Sequence, residues 1–386
     1  MEIIDKIYNE LDEGNFVTGI YFDLQKAFDT VNHEILLRKL YSYGIRGMMY
    51  EWVKNYLSNR YQYTSLGNNQ SSNSLITCGV PQGSVLGPIF FLIYINDIPN
   101  ALNNAIPRLF ADDTNLFLFN SNLQQLTADC NESIHNFYEW SLANKLSLNL
   151  EKTCYQLFVP NTRFKNYSVN LFLNLTPIKQ THCTKYLGLN IDDKLSWSEH
   201  INNVRNTIIK YIGIFYKIRY KLPPHCLKNL YFATVYPHLL FGIELYANTC
   251  KSYLNELMIL NNKILRVLQN KPLSENITNL YLHFNILPID QLLLYQYALF
   301  AYKYYHNKNS LPDAFSEFLK ANSEIHEHNI RRKNNLRLSS HSSSRGHRSI
   351  STQICKYWNE LPNNLKELKS LQMFKVALFR FLMSRQ

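Results

Sequence analysis

The chain has 386 residues, of which 46% are hydrophobic and 14% aromatic, enough to build folded cores and to exclude an intrinsically disordered chain. Residues 1–200 carry 15 Lys and Arg against 19 Asp and Glu, a net charge of −4, whereas residues 201–386 carry 25 against 10, a net charge of +15. A basic excess confined to one half predicts a polyanionic partner, most often nucleic acid, although solubility alone is the alternative.

Membrane spans and cysteine frameworks are not expected. The longest apolar run, VLGPIFFLIYI at residues 85–95, is shorter than the about 20 residues that cross a bilayer, and the N-terminus has no signal-peptide pattern. The seven cysteines stand singly, without a C-x-x-C pair or a Cys/His cluster at zinc spacing. We therefore expect a soluble intracellular protein that has neither structural zinc nor a disulfide framework.

The first elements alternate between strand and helix. FVTGIYFDL, residues 16–24, predicts a buried strand with Asp23 at its C-terminal end. TVNHEILLRKLYSYG predicts a helix that is capped near Thr30 and ends at Gly44. A second helix in MMYEWVKNYLSN and two short strands, YQYTSLG and NSLITCG, lead to a Gly/Pro loop, GVPQGS, at residues 79–84.

The next stretch contains two adjacent acids. VLGPIFFLIYINDI predicts a mostly buried helix, with Pro88 tolerated in its first turn. RLFADDTNLFLF, residues 108–119, predicts a hairpin with Asp112 and Asp113 at its tip. Adjacent carboxylates repel one another, so they mark either a solvated turn, the commoner case, or a bound cation. An amphipathic helix at 123–146 and strands in TCYQLFV and HCTKYLGLNID follow.

After about residue 197 the pattern becomes helical. Helices are predicted in 198–222, 226–270 and 290–307, and these form a second domain. The Ser/His/Arg-rich stretch at 331–349 predicts a basic linker, and the block at 357–382 a small helical unit. The fold class predicted from these elements is α+β.

The order of elements can bring Asp23, Asp112 and Asp113 together at one edge of a sheet. Carboxylate oxygens are the hard ligands that Mg²⁺ prefers. Two such ions, about 3.5–4 Å apart, stabilise both the attacking and the leaving oxygen of a phosphoryl transfer. Three acids at one point therefore predict a magnesium site.

Five segments resemble the successive palm motifs of non-LTR (LINE-type) retrotransposon reverse transcriptases. They are YFDLQKAFDTVNHEILLRKL, GVPQGSVLGPIFFLIYINDI, LFADDT, NKLSLNLEKTCYQLF and KYLGLNIDDKLSW. The resemblance covers about residues 10–200, and the closing YWNELPNNLKELKSLQMFKVAL is similar to the C-terminal tail of many animal elements. It implies a right-hand palm, an antiparallel sheet backed by helices, followed by an α-helical thumb and a helical C-terminal segment.

The resemblance also implies domain limits and partners. Residues 1–196 would be the palm with a remnant of the fingers, 197–325 the α-helical thumb or connection, and 326–386 the basic linker and tail. The expected activity is RNA-directed DNA polymerisation by two Mg²⁺ ions, with Mn²⁺ as a substitute. RNA template, DNA primer and dNTPs are the expected partners, and the nucleus and cytoplasm the expected location.

Carried over by residue, the resemblance implies that Asp23, Asp112 and Asp113 bind the metal and act in catalysis. Phe28 falls at the position of the sugar gate, where a bulky ring clashes with a 2′-OH, although an ordinary core phenylalanine is the alternative. Gln82 matches the residue that contacts the incoming nucleotide and the template. Its neighbours Gly79, Pro81 and Gly83 complete this substrate-binding loop, because glycines let backbone approach the substrate closely.

Two further roles follow from the resemblance. Lys152 matches the lysine that protonates the pyrophosphate leaving group, although Lys145 is nearby and either lysine could simply be solvated. Tyr186, Leu187 and Gly188 match the hairpin that grips the primer end, with an ordinary hairpin glycine as the alternative at residue 188.

Two motif acids are left out of the metal site. Asp29 is expected to cap the helix that follows it, and Asp97 lies at the far end of a motif helix. Only 22 residues precede Asp23, so we expect the fingers region and an endonuclease to be missing and the chain to be truncated. A catalytically inert nucleic-acid-binding relic and a metal-dependent nuclease are the competing functions.

Overall fold

The computed structural model describes residues 1–160, 167–322 and 335–385. Contacts divide the chain into a sheet unit, Gly14–His182, and a helical unit, Met1–Glu13 with Cys183–Gln386. Residues 331–334 of the predicted linker, and the predicted domain boundary at 325 and 326, lie outside the described residues. The predicted boundary at residue 196 stays a prediction.

The sheet unit is built on a mixed sheet. Its strands are, in chain order, β1 (Phe16–Phe22), β2 (Tyr61–Gln62), β3 (Ser65–Leu66), β4 (Asn69–Gln70), β5 (Ser74–Leu75), β6 (Ile106–Phe110), β7 (Asp113–Asn120), β8 (Cys154–Phe158), β9 (Phe172–Leu173), β10 (Thr176–Pro177) and β11 (Lys179–Gln180). Within the described residues, five of them form one sheet in the order β11-β8-β1-β7-β6. The expectation of an antiparallel sheet is wrong at one edge, where β11 runs parallel to β8.

Helices account for most of the remaining elements. In chain order they are α1 (Glu2–Asp12), α2 (His33–Ser42), α3 (Gly47–Leu57), α4 (Leu86–Ile95), α5 (Leu123–Ala143), α6 (Ser198–Ile218), α7 (Pro224–Thr234), α8 (Tyr236–Leu240), α9 (Ile243–Tyr246), α10 (Lys251–Leu268), α11 (Ile277–Phe284), α12 (Ile289–His306), α13 (Ile350–Glu360), α14 (Asn363–Lys366) and α15 (Leu371–Met383). The α+β class is therefore confirmed. Among the described residues, no helix is both long and apolar enough to cross a membrane.

The central strand β1 is buried along its whole length, because strands flank it on both sides and α5 packs against it. The ring of Phe22 lies 4.4 Å from that of Phe137 on α5. Helix α2 begins later than expected, since the side chain of Asn32 accepts a hydrogen bond from the backbone N–H of Ile35. The prediction of a cap near Thr30 is wrong, because the Thr30 hydroxyl donates to the carbonyl of Lys26 instead.

The helical unit contains the hairpin of β12 (Cys183–Tyr186) and β13 (Leu189–Asp192) and the helices outside the sheet unit. Its first helix, α1, packs against α13 and the short 3₁₀ turn before it. Two carboxylates of α1 make this contact. Asp5 accepts hydrogen bonds from the backbone N–H and hydroxyl of Ser351, at 2.8 and 3.1 Å. Asp12 accepts from the backbone N–H of Ser343, at 2.7 Å, and pairs with His341, at 3.0 Å.

Candidate active site

The predicted hairpin is present, and the end of β1 lies beside its tip. Phe110 pairs with Asp113, so Ala111 and Asp112 form a two-residue turn, with Ala111 at a φ of 50°. Strand β1 runs antiparallel to β7, and Phe22 lies opposite Thr114. Asp23 therefore follows the last residue pair of β1 while Asp113 precedes it on β7, and the sheet register brings these two acids to one edge.

The three carboxylates influence one another electrostatically. Burial raises the pKa of Asp113 above its ordinary value, and the negative charges of Asp112 and Asp23 raise it further. A raised carboxyl pKa means that a further negative charge is unfavourable at this edge, so a bound cation would be favoured there. Asp112 and Asp113 are both exposed at this tip.

Asp23 already has two polar partners. The Lys152 ammonium lies 3.7 Å from its carboxylate, and the amide of Asn149 donates to the same oxygen, at 3.0 Å. The backbone N–H of Asn149 also donates to the carbonyl of Asp23, at 2.8 Å. The structure thus brings Lys152 to the acids. Asn149 lies three residues before Lys152, in the segment NKLSLNLEKTCYQLF, and had no predicted role.

The side chains of the three acids predicted to bind metal do not form a ready metal site. Among the described residues, no group of three or more His, Cys, Asp or Glu side chains is placed to hold a metal ion. The oxygen donors of Asp23, Asp112 and Asp113 fit Mg²⁺ in kind, and their mutual repulsion fits a cation between them. Their side chains are not gathered around one point, however, and Asp23 contacts Lys152.

The GVPQG loop, residues 79–83, is fixed against the segment that follows β1. The backbone N–H of Gly79 donates to the carbonyl of Val31, at 2.7 Å, and that of Val80 donates to Phe28, at 2.8 Å. Gly79 has a φ of 88°, and a Cβ there would lie 2.8 Å from the carbonyl oxygen of Asp29. The close approach at Gly79 is thus made by this chain's own backbone.

Side chains on this loop point in several directions. Gln82 is exposed, and its amide donates to the carboxylate of Asp29, at 2.9 Å. Asp29 therefore does not cap α2, and that prediction is wrong. The carbonyl of Pro81 accepts a hydrogen bond from the hydroxyl of Ser84, at 2.8 Å. Gly83 has a φ of 81° and would meet no atom within 4 Å if it carried a Cβ, so its face of the loop is open.

Phe28 and Asp97 lie on the inner side of this region. Phe28 is half-buried and stacks on Phe91, with ring centroids 4.6 Å apart, so its ring is both part of the core and accessible. Asp97 forms an ion pair with Lys39, at 2.7 Å, and accepts from the indole N–H of Trp140, at 3.3 Å. Asp97 thus contacts core side chains, as expected of an acid outside the metal site.

A cavity of about 670 Å³ lies beside the GVPQG loop, and its lining includes Lys26, His33 and Arg60. No role was predicted from the sequence for these three basic residues. Lys26 stands within the first palm motif, but nothing in the sequence indicates that Arg60 shares a cavity with it. The backbone of Lys26 has a φ of 47°, a region that residues other than glycine, Asn and Asp adopt rarely.

The predicted primer-grip residues lie in the helical unit. Leu187 and Gly188 form the two-residue turn between β12 and β13, with φ angles of 45° and 85°. Positive φ at both positions is what a tight hairpin turn requires. A Cβ on Gly188 would lie 3.0 Å from the ring of Phe241. The hairpin is confirmed, and the primer-grip role of Tyr186, Leu187 and Gly188 stays a prediction.

These motifs fall within a match to a known protein family. The profile of the family "Reverse transcriptase (RNA-dependent DNA polymerase)" matches residues 6–191. The chain carries a reverse transcriptase domain.

Relatives of this reverse transcriptase domain are RNA-directed DNA polymerases of mobile elements and transposons. The RNA-directed DNA polymerase from mobile element jockey of Drosophila melanogaster is 29% identical over 280 residues, which is 70% of this chain and 30% of that protein. The probable RNA-directed DNA polymerase from transposon X-element of the same fly is 24% identical over 274 residues, covering 69% and 30%. The match thus spans 30% of the length of these curated relatives.

One solved structure has a weak overall likeness to this chain. A telomerase from Candida albicans, in complex with a fragment of telomeric RNA, gives a TM-score of 0.34 and 13% identity. The superposition covers 77% of this chain and 52% of the telomerase chain. This overall likeness is low, and nothing about this chain follows from it.

Proposed function

We propose that this chain is the polymerase core of a non-LTR retrotransposon reverse transcriptase, with the sheet unit as palm and the helices after β13 as thumb. It adds dNTPs to the 3′-OH of a DNA primer on an RNA template. The observation that supports this best is the sheet register, which brings Asp23 after β1 and Asp112 and Asp113 before the paired Thr114 to one edge of the sheet. We propose that this activity takes place in the nucleus and cytoplasm.

The acids would hold two Mg²⁺ ions, which when bound supply Lewis-acid stabilisation of the attacking and leaving oxygens. Asp23 and Asp112 would provide most of the oxygen ligands, and Asp113 would add negative charge beside them. The Lys152 ammonium, which lies 3.7 Å from the Asp23 carboxylate, would donate a proton to the pyrophosphate leaving group.

The remaining residues position the substrate. Phe28, held against Phe91, presents a ring edge to the sugar and disfavours a 2′-OH. Gln82 exchanges its hydrogen bond with Asp29 for one to the incoming nucleotide. The open face at Gly83 leaves space for the paired template base.

The test of the acids combines primer extension with metal binding. Asp112→Asn removes a charge with little change of shape, so extension on a primed RNA template should fall at least about 100-fold. Mn²⁺ affinity, measured by electron paramagnetic resonance, should fall with it, while the thermal melting temperature stays unchanged. Asp129→Asn on α5, whose carboxylate accepts from Gln125 and Asn120, is the matched control. A folded Asp112→Asn variant that binds Mn²⁺ and extends primers normally would refute the proposal.

The test of the general acid compares two lysines. Lys152→Met should lower extension about 100-fold or more, because general acids contribute about 10²–10⁴-fold. Lys145→Met should leave the rate unchanged. Equal effects of the two substitutions would assign Lys152 a role in charge alone.

The inert relic is the second candidate, and the charge distribution agrees with it as well as with the polymerase. The net charge of +15 on residues 201–386 suits nucleic-acid binding whether or not the acids turn over substrate. RNA binding without any extension in wild-type chain would support the relic. Shortening of a labelled strand instead of its extension would support the nuclease.

A further inference from the structure

A short segment, residues 147–149, continues the antiparallel pairing beyond the end of β1. The backbone N–H of Asn149 donates to the carbonyl of Asp23, at 2.8 Å. An isolated antiparallel bridge joins their neighbours, Leu24 and Leu148. Backbone pairing therefore places Asn149 beside the acid that follows β1.

The backbone of Asn149 is also held from its other side. Its carbonyl accepts hydrogen bonds from the N–H and the hydroxyl of Thr153, at 2.9 and 2.8 Å, and Thr153 is buried. Strand β8 begins at the next residue, Cys154, which lies opposite Tyr21 of β1. Because these bonds use only the backbone of Asn149, they do not depend on its side chain.

The side chain of Asn149 forms one hydrogen bond. In the described part of the chain, its amide donates to Oδ2 of Asp23, at 3.0 Å, and to no other group. The Lys152 ammonium lies 3.7 Å from the same oxygen, which is beyond hydrogen-bonding distance. The Lys152 side chain is also 69% exposed. The directional bond to this carboxylate therefore comes from the amide.

This arrangement leaves the other carboxylate oxygen of Asp23 open. Both polar side chains approach Oδ2, and among the described residues none donates a hydrogen bond to Oδ1. An amide is neutral, so it fixes the orientation of the carboxylate without cancelling its negative charge. Groups that hydrogen-bond to metal ligands orient them in this way, and their loss typically lowers metal affinity or activity about 10–100-fold.

We propose that Asn149 is a positioning residue for Asp23, and that its amide holds Oδ2 so that Oδ1 remains available to a divalent cation. The role of that cation rests on the proposed polymerase function. The hold on the carboxylate requires neither metal nor substrate. Asn149 touches no reacting atom and acts through Asp23.

The first experiment measures metal binding and the metal requirement. Mn²⁺ affinity of the full chain, measured by electron paramagnetic resonance, should fall about 10-fold or more in Asn149→Ala. The Mg²⁺ concentration for half-maximal primer extension should rise by a similar factor, while KM for the primed template stays unchanged. A general loss of structure would not separate these two constants. Wild-type Mn²⁺ affinity in folded Asn149→Ala, or an equal change in both constants, would overturn the proposal.

The second experiment needs no metal. In a chain with carbon-13 at its aspartate carboxyl groups, the Asp23 resonance is identified by its absence in Asp23→Asn. In the presence of EDTA, Asn149→Ala should move this resonance, because the carboxylate loses its hydrogen bond to the amide. The resonance of Asp129, whose carboxylate accepts from Gln125 and Asn120, should stay in place. A stationary Asp23 resonance would overturn the proposal.

Two further variants serve as controls. In the helical unit, the Asn279 amide donates to the carboxylate of Glu275, also at 3.0 Å, so Asn279→Ala removes the same kind of bond elsewhere. It should change neither Mn²⁺ affinity nor the Asp23 resonance. Asn149→Leu keeps a similar side-chain volume without a donor, and it should reproduce both effects even if Asn149→Ala does not fold.

The positioning role and the polymerase function fail separately. If the wild-type chain neither binds Mn²⁺ nor extends primers but the Asp23 resonance moves in Asn149→Ala, the hold on the carboxylate stands and the polymerase proposal falls. If the wild-type chain does both while Asn149→Ala leaves the resonance and the affinity unchanged, the polymerase proposal stands and the positioning role falls.

Discussion

Gly79 and Gly83, the first and last residues of the GVPQG loop, allow the energetic costs of backbone strain and of steric overlap to be measured separately. Gly79 and Gly83 have nearly equal φ angles, 88° and 81°. Alanine at such a φ costs about 1–2 kcal/mol in either position. At Gly83 that is the whole expected cost, because an added Cβ meets nothing within 4 Å. At Gly79 the Cβ would also lie 2.8 Å from the carbonyl oxygen of Asp29, and overpacking typically adds about 1–3 kcal/mol.

We therefore expect Gly79→Ala to lower the free energy of unfolding by about 2–5 kcal/mol and Gly83→Ala by about 1–2 kcal/mol. Urea denaturation of the two variants and the wild type measures both values. The relief of overlap should move the Asp29 backbone, so the Gly79 variant should also lose primer extension. Equal destabilisation by the two substitutions would refute the reasoning, because it would mean that the contact with Asp29 has no energetic weight.

Other predictions concern stability and binding elsewhere in the chain. Burial lowers the pKa of His200 from 6.5 to about 4, so the unfolded chain takes up this proton first and stability is lost as pH falls from 6.5 towards 4. The free energy of unfolding, measured by urea denaturation, should fall by about 2 kcal/mol between pH 7.5 and 5, and His200→Gln should remove this fall. An unchanged fall in that variant would contradict the prediction. Gly213 lies inside α6 with nothing within 4 Å of a Cβ, so Gly213→Ala should raise the unfolding free energy by about 0.5–1 kcal/mol, and a lower melting temperature would be the contrary result. Lys210 and Lys217 are exposed on α6, and replacing both by Gln should make the slope of log affinity for single-stranded RNA against log salt less negative by about 1.4. Lys54→Gln changes a lysine of the sheet unit that lies beside Glu51, and it should leave that slope unchanged. An equal change of slope in this variant would contradict the assignment of the RNA contacts to Lys210 and Lys217.

The acids could be predicted from the sequence because the information is local. A buried strand that ends in Asp23 and a hairpin with two acids at its tip are patterns of a few residues, and antiparallel pairing then brings their ends together. Asn149 was not predicted although it lies three residues before Lys152 in the same motif segment, because the resemblance assigns it no role and a single asparagine in a loop has no distinctive pattern. The Asp29–Gln82 hydrogen bond was not predicted because it depends on how the GVPQG loop packs against the segment after β1, and Asp29 was wrongly expected to cap a helix.

The fold shows the same division between local and distant information. Helices such as α5 follow from their apolar periodicity, but α1 was not assigned although its buried residues Ile3, Ile7 and Leu11 have helical spacing. The parallel edge strand β11 has two residues and no distinctive pattern, so its pairing with β8 depends on tertiary structure. That Lys26 and Arg60 line the same cavity likewise depends on tertiary structure, because the short strands after α3 must fold back to bring Arg60 there.

The attachment of α1 to α13 and to the segment before it has a consequence for synthesis on the ribosome. Asp5 and its partner Ser351 are 346 positions apart, so at about 5–20 residues per second the helix waits roughly 17–70 seconds for its partner to emerge. The sheet unit is continuous and has all its strands once β11 has been translated. During translation, therefore, the sheet unit can close while the apolar face of α1 remains uncovered and available to chaperones.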